Sequence, residues 1–293
     1  MLQDGPAAYW AMLAAIGEAL DHVNMQTDIL DGDEVGQRFA QALADKQRQG
    51  VQVDLTHHSV GTLATPKAFF DRLADSGIRV LEFNPMNPLR ARKDRELNRR
   101  DHRKLLIADG RTAFMGGINI SSVYSNGSSG PGTPSRQGAG PAWRDTDLPL
   151  QGPVVAKLQK LFLGTWQSQQ GDALAPRNHF PQPDRAGGEV VRAIGSSPDE
   201  PFSLICATLL SAIGSAETGV CITNAYFAPN PQLLAALEAA VRLGVEVTMI
   251  LPSQTDSRLF LHAGRAHYDQ LLRSGVRLFE RRSAILHSKT ALV

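Results

Sequence analysis

Apolar stretches with helical spacing alternate with short β-branched runs along this chain, and the alternation is set out twice. Thr65-Pro66 and Asn230-Pro231 each place a capping side chain before a proline suited to the first helical position. Gly77 and Gly244 then close those helices and hand over to strands. The halves also match in order. AIGEA at Ala15–Ala19 returns as AIGSA at Ala212–Ala216, and GVQVDL at Gly50–Leu55 returns as GVEVTMI at Gly244–Ile250. DRLADSGIRVLEF at Asp71–Phe83 returns as DQLLRSGVRLFE at Asp269–Glu280, so that the copies lie a nearly constant 194–198 residues apart. That constancy predicts a duplicated domain with small insertions. Repeated helix–Gly–strand units predict α/β layers with largely buried strands.

Two tracts interrupt the pattern. Ser125–Pro141, SNGSSGPGTPSRQGAGP, is too rich in Gly, Ser and Pro to pack and reads as a flexible loop inside the first half. Asp172–Gly188, DALAPRNHFPQPDRAGG, falls between the halves and reads as a linker. The expected division is a first half over 1–171, a linker over 172–188 and a second half over 189–293.

Composition narrows the classes. An apolar share of 42% and a formal charge of +1 describe a globular chain and exclude a polycation wrapped on nucleic acid. Cys206 and Cys221 lie in apolar stretches without zinc-ligand spacing and read as small core residues in a reducing compartment. No run reaches the roughly 18 apolar residues of a membrane span, and Met1 is not followed by a secretory signal pattern. Membrane contact by this chain is therefore expected to be peripheral.

The chemistry concentrates in DHRKLLIADGRTAFMGGIN, which carries His102, Lys104 and Asp109 as His-x-Lys-x4-Asp, with Gly117 and Asn119 following. A second His-x-Lys, His287 and Lys289, occurs near the last residue, Val293, after the same repeated unit. On a strand, residues i and i+2 share a face, so each His projects beside its Lys. A neutral imidazole next to a fixed ammonium group can attack a phosphoryl centre that the lysine neutralises. Two such strands facing each other would supply one imidazole as nucleophile and one as proton donor to the leaving oxygen. This chemistry needs no metal, and the other histidines lack ligand spacing.

This arrangement resembles the phospholipase D superfamily, whose members carry two His-Lys-Asp motifs on a duplicated fold. LLIADGRTAFMGGINISSVYS, WRDTDLPLQGPVVAKLQKLFLGTW and TNAYFAPNPQLLAALEAAVRLGVEVTMILP are similar to bacterial cardiolipin synthases and related phosphatidyltransferases. The resemblance implies two α/β/α sandwich halves related by a pseudo-twofold, the second incomplete. It implies phosphatidyl transfer between phosphatidylglycerol molecules through a phosphohistidine, without a cofactor or metal. The partners implied are an anionic phospholipid, phosphatidylglycerol, and a peripheral membrane surface at the cytoplasmic face of a bacterial inner membrane; nucleic acid is not among them. The motif residues map onto His102, Lys104, Asp109, Gly117 and Asn119, and onto His287 and Lys289. On this reading His102 is the nucleophile and His287 the general acid, an order that the repeat leaves open. Lys104 and Lys289 clamp phosphate oxygens, Asp109 supports the strand end, and Gly117 and Asn119 meet the phosphate.

Departures from the family pattern are local. Gln26-Thr27-Asp28 stands where Glu-Thr-Tyr is usual, His58 where Asp is usual, Ala225 where Pro precedes Tyr226-Phe227, and Asp147 where His is common. The Asp and the Gly-Ser-Asn segment due after Lys289 do not follow, so the chain reads as a truncated member, and an N-terminal segment with any membrane anchor is expected to be missing as well. His57 and His58, adjacent on a strand, point to opposite faces and read as structural. Trp143-Arg144-Asp145 reads as a loop anchor. The basic stretch 90–104 reads equally as a solvated loop or as a lure for anionic headgroups. Two rival functions stand beside transfer: hydrolysis of phospholipid or nucleic-acid diesters, and an inactive relic.

Overall fold

The computed structural model describes residues 1–85, 101–125, 142–183, 186–196, 203–282 and 284–293. Most of the expected flexible loop and of the basic stretch lies outside the described residues. The chain divides into two compact units, one holding the N-terminal residues through 125 and Thr146–Ala193, the other holding 142–145 and Ile194–Val293.

In chain order the elements are β1 (Leu2–Gln3), α1 (Asp4–Glu18), β2 (His22–Thr27), α2 (Glu34–Arg48), β3 (Gln52–His58), α3 (Lys67–Asp75) and β4 (Arg79–Phe83). Next come β5 (Lys104–Ala108), β6 (Thr112–Gly116), β7 (Trp143–Arg144), β8 (Thr146–Gln151) and α4 (Val154–Ser168). The remainder is α5 (Leu204–Gly214), β9 (Gly219–Asn224), α6 (Pro231–Arg242), β10 (Glu246–Pro252), α7 (Arg258–Arg265), α8 (Tyr268–Ser274), β11 (Arg277–Arg281), β12 (Ile285–Leu286) and β13 (Lys289–Leu292). Of these, β7 belongs to the second unit.

The first unit carries a seven-stranded sheet in the order β1-β8-β6-β5-β2-β3-β4. β2, β3 and β4 are parallel, while β5 runs antiparallel to β2. Leu105, Ile107 and Ala113 face α4 and form a core with Val155, Leu158, Phe162 and Trp166. Leu106 and Phe114 are paired and buried on the other face, and α1 lies against β5 and β8. A sheet covered on both faces explains why β2 and β3 are buried along their whole length. Each fully buried Leu or Phe in such a core contributes about 2–3 kcal/mol.

The second unit repeats the plan in a four-stranded sheet ordered β11-β10-β9-β13, so that β13-β9-β10-β11 matches β5-β2-β3-β4 strand for strand and direction for direction. Its core joins Ile213, Leu234, Leu237 and Leu271 from three helices to Val220, Ile222, Val247, Met249 and Leu251 of the sheet. Alternation sends Cys221, Thr248 and Ile250 to the opposite face, which the described residues leave half-buried. Both cysteines are half-buried free thiols rather than core residues.

Local signals act as read at most caps. Gly77 and Gly244 adopt φ of +90° and +89° just after α3 and α6, a region closed to most side chains. Asn230 caps α6 by accepting from the Leu233 N–H at 2.8 Å. Thr65 behaves differently: its hydroxyl donates to the Leu30 carbonyl at 2.7 Å, and Pro66 takes the cap position of α3. The tract after α4 packs on the first unit. Trp166 Nε1 donates to the Asp172 carbonyl, the Asn178 N–H donates to Asp21, and the His179 ring meets His22 at 4.6 Å.

Candidate active site

Each unit gathers its motif at one edge of its sheet. In the first, β2 and β3 end where the antiparallel β5 begins, which brings Asp28, His58, His102 and Lys104 together. β5 starts at Lys104, so His102 lies two residues ahead of the strand rather than on it. His102 Nδ1 is 3.2 Å from Asp28 Oδ2, and Lys104 Nζ is 3.5 Å from the same oxygen. Lys104 also curls back to donate to the His102 carbonyl at 2.7 Å. The His58 ring stacks between Phe83, at 5.5 Å, and His102, at 6.1 Å. Its Nδ1 accepts from the Val60 N–H and lies 3.9 Å from Asp28 Oδ1, too far for a hydrogen bond.

Exposure grades this cluster. The His102 side chain is 60% exposed, while those of Asp28 and Lys104 are 11% and 9% exposed, so an accessible imidazole stands on a buried ion pair. Burial alone would push the Asp28 carboxyl up. The hydrogen bond from His102 and the charges of Lys104, His102 and His58 overcome that and hold it well below the usual carboxylate range.

The other predicted residues of the first motif serve the frame. Asp109 follows β5 at the end away from His102, on the order of 20 Å along the chain at strand spacing. Its carboxylate accepts the N–H groups of Leu20, Asp21 and His22 at 2.8, 2.8 and 3.0 Å. Asn119 is buried; its Oδ1 accepts from the Ile29 N–H and its Nδ2 donates to the Tyr124 hydroxyl. The Gly117 N–H donates to the Thr146 carbonyl at 3.1 Å. In this geometry the Gly117 N–H and the Asn119 amide are bonded to protein, and Asn119 fixes the turn that carries Asp28.

In the second unit, His287 lies between β12 and β13, and Lys289 opens β13. β12 pairs in parallel with β7, and the His287 N–H donates to the Arg144 carbonyl at 2.8 Å. That pairing sets Asp145, the residue after β7, 2.6 Å from His287 Nδ1. Trp143-Arg144-Asp145 is thus part of the motif site rather than a remote loop anchor. Lys289 donates to the His287 carbonyl, as Lys104 does to that of His102, and its Nζ lies 3.0 and 3.2 Å from the two ring nitrogens. The Tyr226 ring meets His287 edge-on at 5.7 Å, and its hydroxyl donates to Asp256 at 2.9 Å.

Reading the sequence alone missed Asp28, His58, Asp145 and Tyr226 as members of these clusters. The available signal was position: polar residues just past the ends of parallel strands, where open α/β sheets form their crevices. Among the described residues, no group of three or more His, Cys, Asp or Glu is placed to hold a metal ion.

Comparison with known proteins agrees with this architecture. The family described as "Cardiolipin synthase, PLD-like domain" matches residues 12–126 and 209–293. The chain belongs to that family of phospholipase D-like enzymes. It is 29% identical over 298 residues to a cardiolipin synthase of Geobacillus kaustophilus and 30% identical over 296 residues to one of Alkalihalophilus pseudofirmus. Both alignments take in 100% of this chain but 57% and 56% of the relatives, so the chain spans little more than half their length. Among solved structures, a phosphatidylserine synthase of Haemophilus influenzae superposes with a TM-score of 0.64 at 14% identity, over 98% of this chain and 74% of that one. A polyphosphate kinase of Porphyromonas gingivalis gives 0.54 at 11% identity, over 96% of this chain and 40% of that one. These likenesses establish the fold; the fold alone does not select a reaction.

Proposed function

We propose that this chain carries phosphatidyltransferase chemistry of the cardiolipin synthase kind, acting on phosphatidylglycerol at the cytoplasmic face of a bacterial inner membrane. The observation that supports it most is the shared motif geometry: in both units an imidazole has Nδ1 against a carboxylate, and a lysine is folded onto the carbonyl of that histidine. A carboxylate at Nδ1 keeps a proton there and leaves the Nε2 lone pair as nucleophile.

In the first step, Nε2 of His102 forms a bond to phosphorus and the phosphorus–oxygen bond to the glycerol headgroup breaks. The leaving alkoxide takes a proton from His287, and Lys104 and Lys289 neutralise the phosphoryl oxygens. In the second step, the glycerol hydroxyl of another phosphatidylglycerol gives its proton back and attacks phosphorus, releasing cardiolipin and free His102. Two phosphatidylglycerols thus yield one cardiolipin and one glycerol. The division 1–171, 172–188 and 189–293 remains our proposal for how the two phospholipase D-like halves are partitioned.

A lipid surface suits the rim of the second unit. Leu259 and Phe260 of α7 are 78% and 45% exposed, and Phe260 lies 5.6 Å from Tyr226, the ring that touches His287. Arg258, which opens α7, is exposed, as are Arg281 and Arg282, whose carbonyls accept hydrogen bonds from Ser253 and Gln254 in the segment leading into α7. Exposed apolar side chains together with exposed arginines suit an anionic interface. Among the described residues, no helix is long and apolar enough to cross a membrane.

The test is purified protein with phosphatidylglycerol vesicles. Cardiolipin with free glycerol is expected, and His102→Ala should abolish it. Phosphatidic acid as the sole product would replace transfer with hydrolysis, and no turnover of phospholipid would overturn the reading.

A further inference from the structure

The two copies hold their motif histidines by the same atom but with carboxylates from different places. His287 takes Asp145, which follows β7. His102 takes Asp28, which follows β2 within its own sheet. The second copy carries something else past the matching strand: two residues after β9, the counterpart of β2, stands Tyr226. Its phenol donates to Asp256, and its ring lies roughly perpendicular to the histidine at 5.7 Å. The first copy therefore has a carboxylate touching the imidazole where the second has an aromatic ring beside it.

We infer that Asp28 is the positioning residue of His102, holding its Nδ1–H so that Nε2 faces solvent and substrate. Several independent features fit this assignment. Oδ2 of Asp28 meets both His102 and Lys104, so one oxygen sets the relative placement of nucleophile and ammonium group. The turn bearing Asp28 is fixed on its far side: the Thr27 hydroxyl donates to the Ile29 carbonyl at 2.8 Å, and the Ile29 N–H donates to Asn119 at 3.0 Å. A residue so braced cannot drift with an exposed ring, and the ring must conform to it. Among the described residues, the titratable groups facing Asp28 are His58 at the end of β3, His102 just ahead of β5 and Lys104 at its start, all cationic or able to become so. The carboxylate therefore remains ionised and available as an acceptor throughout turnover. When Nε2 bonds to phosphorus the ring becomes cationic, and the hydrogen bond at Nδ1 strengthens as that charge develops.

The assignment rests on the proposed function in one respect, that Nε2 is the attacking atom, and its test is independent of turnover. With ¹⁵N-labelled histidine, the neutral His102 ring should show the Nδ1–H tautomer in the unmodified protein. In Asp28→Ala it should shift toward the Nε2–H tautomer that free histidine side chains prefer, and Asp28→Glu should restore part of the Nδ1–H form. If the unmodified protein already shows Nε2–H at His102, the inference fails without recourse to any variant. It fails equally if a folded Asp28→Ala protein leaves the tautomer unchanged. In phosphatidylglycerol turnover, Asp28→Ala should lower kcat at least tenfold with little change in KM, and Asp28→Glu should recover some of that loss. A loss confined to KM would make Asp28 a substrate-binding residue and overturn positioning. The expected tautomers in a protein that turns over no phospholipid would sustain Asp28 and sink only the transferase reading.

Discussion

Asp109 stands just past β5 with φ of +55° and receives three backbone N–H groups from residues 20–22. Hydrogen bonds to a charged acceptor contribute about 1.5–3 kcal/mol each when fully formed, and partial exposure reduces them here. Asp109→Ala should therefore cost about 3 kcal/mol of unfolding free energy. Asp109→Asn should cost less, because Asn keeps one acceptor oxygen and tolerates the left-handed region. Denaturant melts of both variants, with the His102 tautomer unchanged, would place Asp109 in the frame. A tautomer shift in a stably folded variant would return it to the chemistry. His57 offers a pH signature on the opposite face of β3 from His58. It stacks on Phe70 at 3.9 Å and bonds Thr62, and burial pushes its imidazole down to about 4 from 6.5. Below 6.5 the unfolded chain binds a proton that the folded ring refuses, so this group's stability is full above that pH and is lost as pH falls toward 4. The slope is about 1.4 kcal/mol per pH unit in that window. His57→Phe keeps the stacking, and Thr62 still donates to the His58 carbonyl. The variant should thus lose that share of the pH dependence between 6.5 and 4, and an unchanged slope would show that His57 does not carry it.

At the scale of elements, α7 makes the clearest prediction. Charging its exposed apolar residues in Leu259→Glu/Phe260→Glu should weaken binding to phosphatidylglycerol vesicles about tenfold or more, since withholding even 1.4 kcal/mol of apolar burial has that effect. Sedimentation with vesicles measures it; unchanged binding would remove α7 from the interface. Elements were also what the sequence disclosed best. Helix–Gly–strand units need only local periodicity and a glycine able to take positive φ, so Gly77 and Gly244 marked their helix ends correctly. The Thr65 cap was misread because a distant carbonyl, that of Leu30, competes for the hydroxyl. The two His-x-Lys pairs were visible because i, i+2 spacing is local. Asp145 was not, since 142 residues separate it from His287 and only the pairing of β7 with β12 joins them. His58 was dismissed for a correct reason, opposite faces on a strand, without knowledge of which face held the motif. Asp28 appeared only as a departure from the family pattern; that its carboxylate reaches the imidazole needed the geometry of the turn after β2.

The molecule as a whole is two units, each with a core of its own. The first sheet is covered on both faces, whereas the described residues of the second build a core on one face, centred on Leu237 and Met249. Stability should follow that division, because a unit that buries its own apolar surface can open without the other. Leu237 is fully buried in α6, and Leu237→Ala removes its side chain at a cost of about 2–5 kcal/mol to the unit that contains it. In native-state hydrogen exchange, amides of β9, β10 and β11 should then exchange roughly 30-fold to several thousand-fold faster, while those of β2, β3 and β5 keep their protection. The same variant should leave the His102 tautomer untouched, since the described groups that hold this ring, Asp28, Lys104 and His58, belong to the first unit. Equal acceleration in both sheets would mean that the units unfold as one cooperative block, and the first motif would then depend on the second unit for its existence.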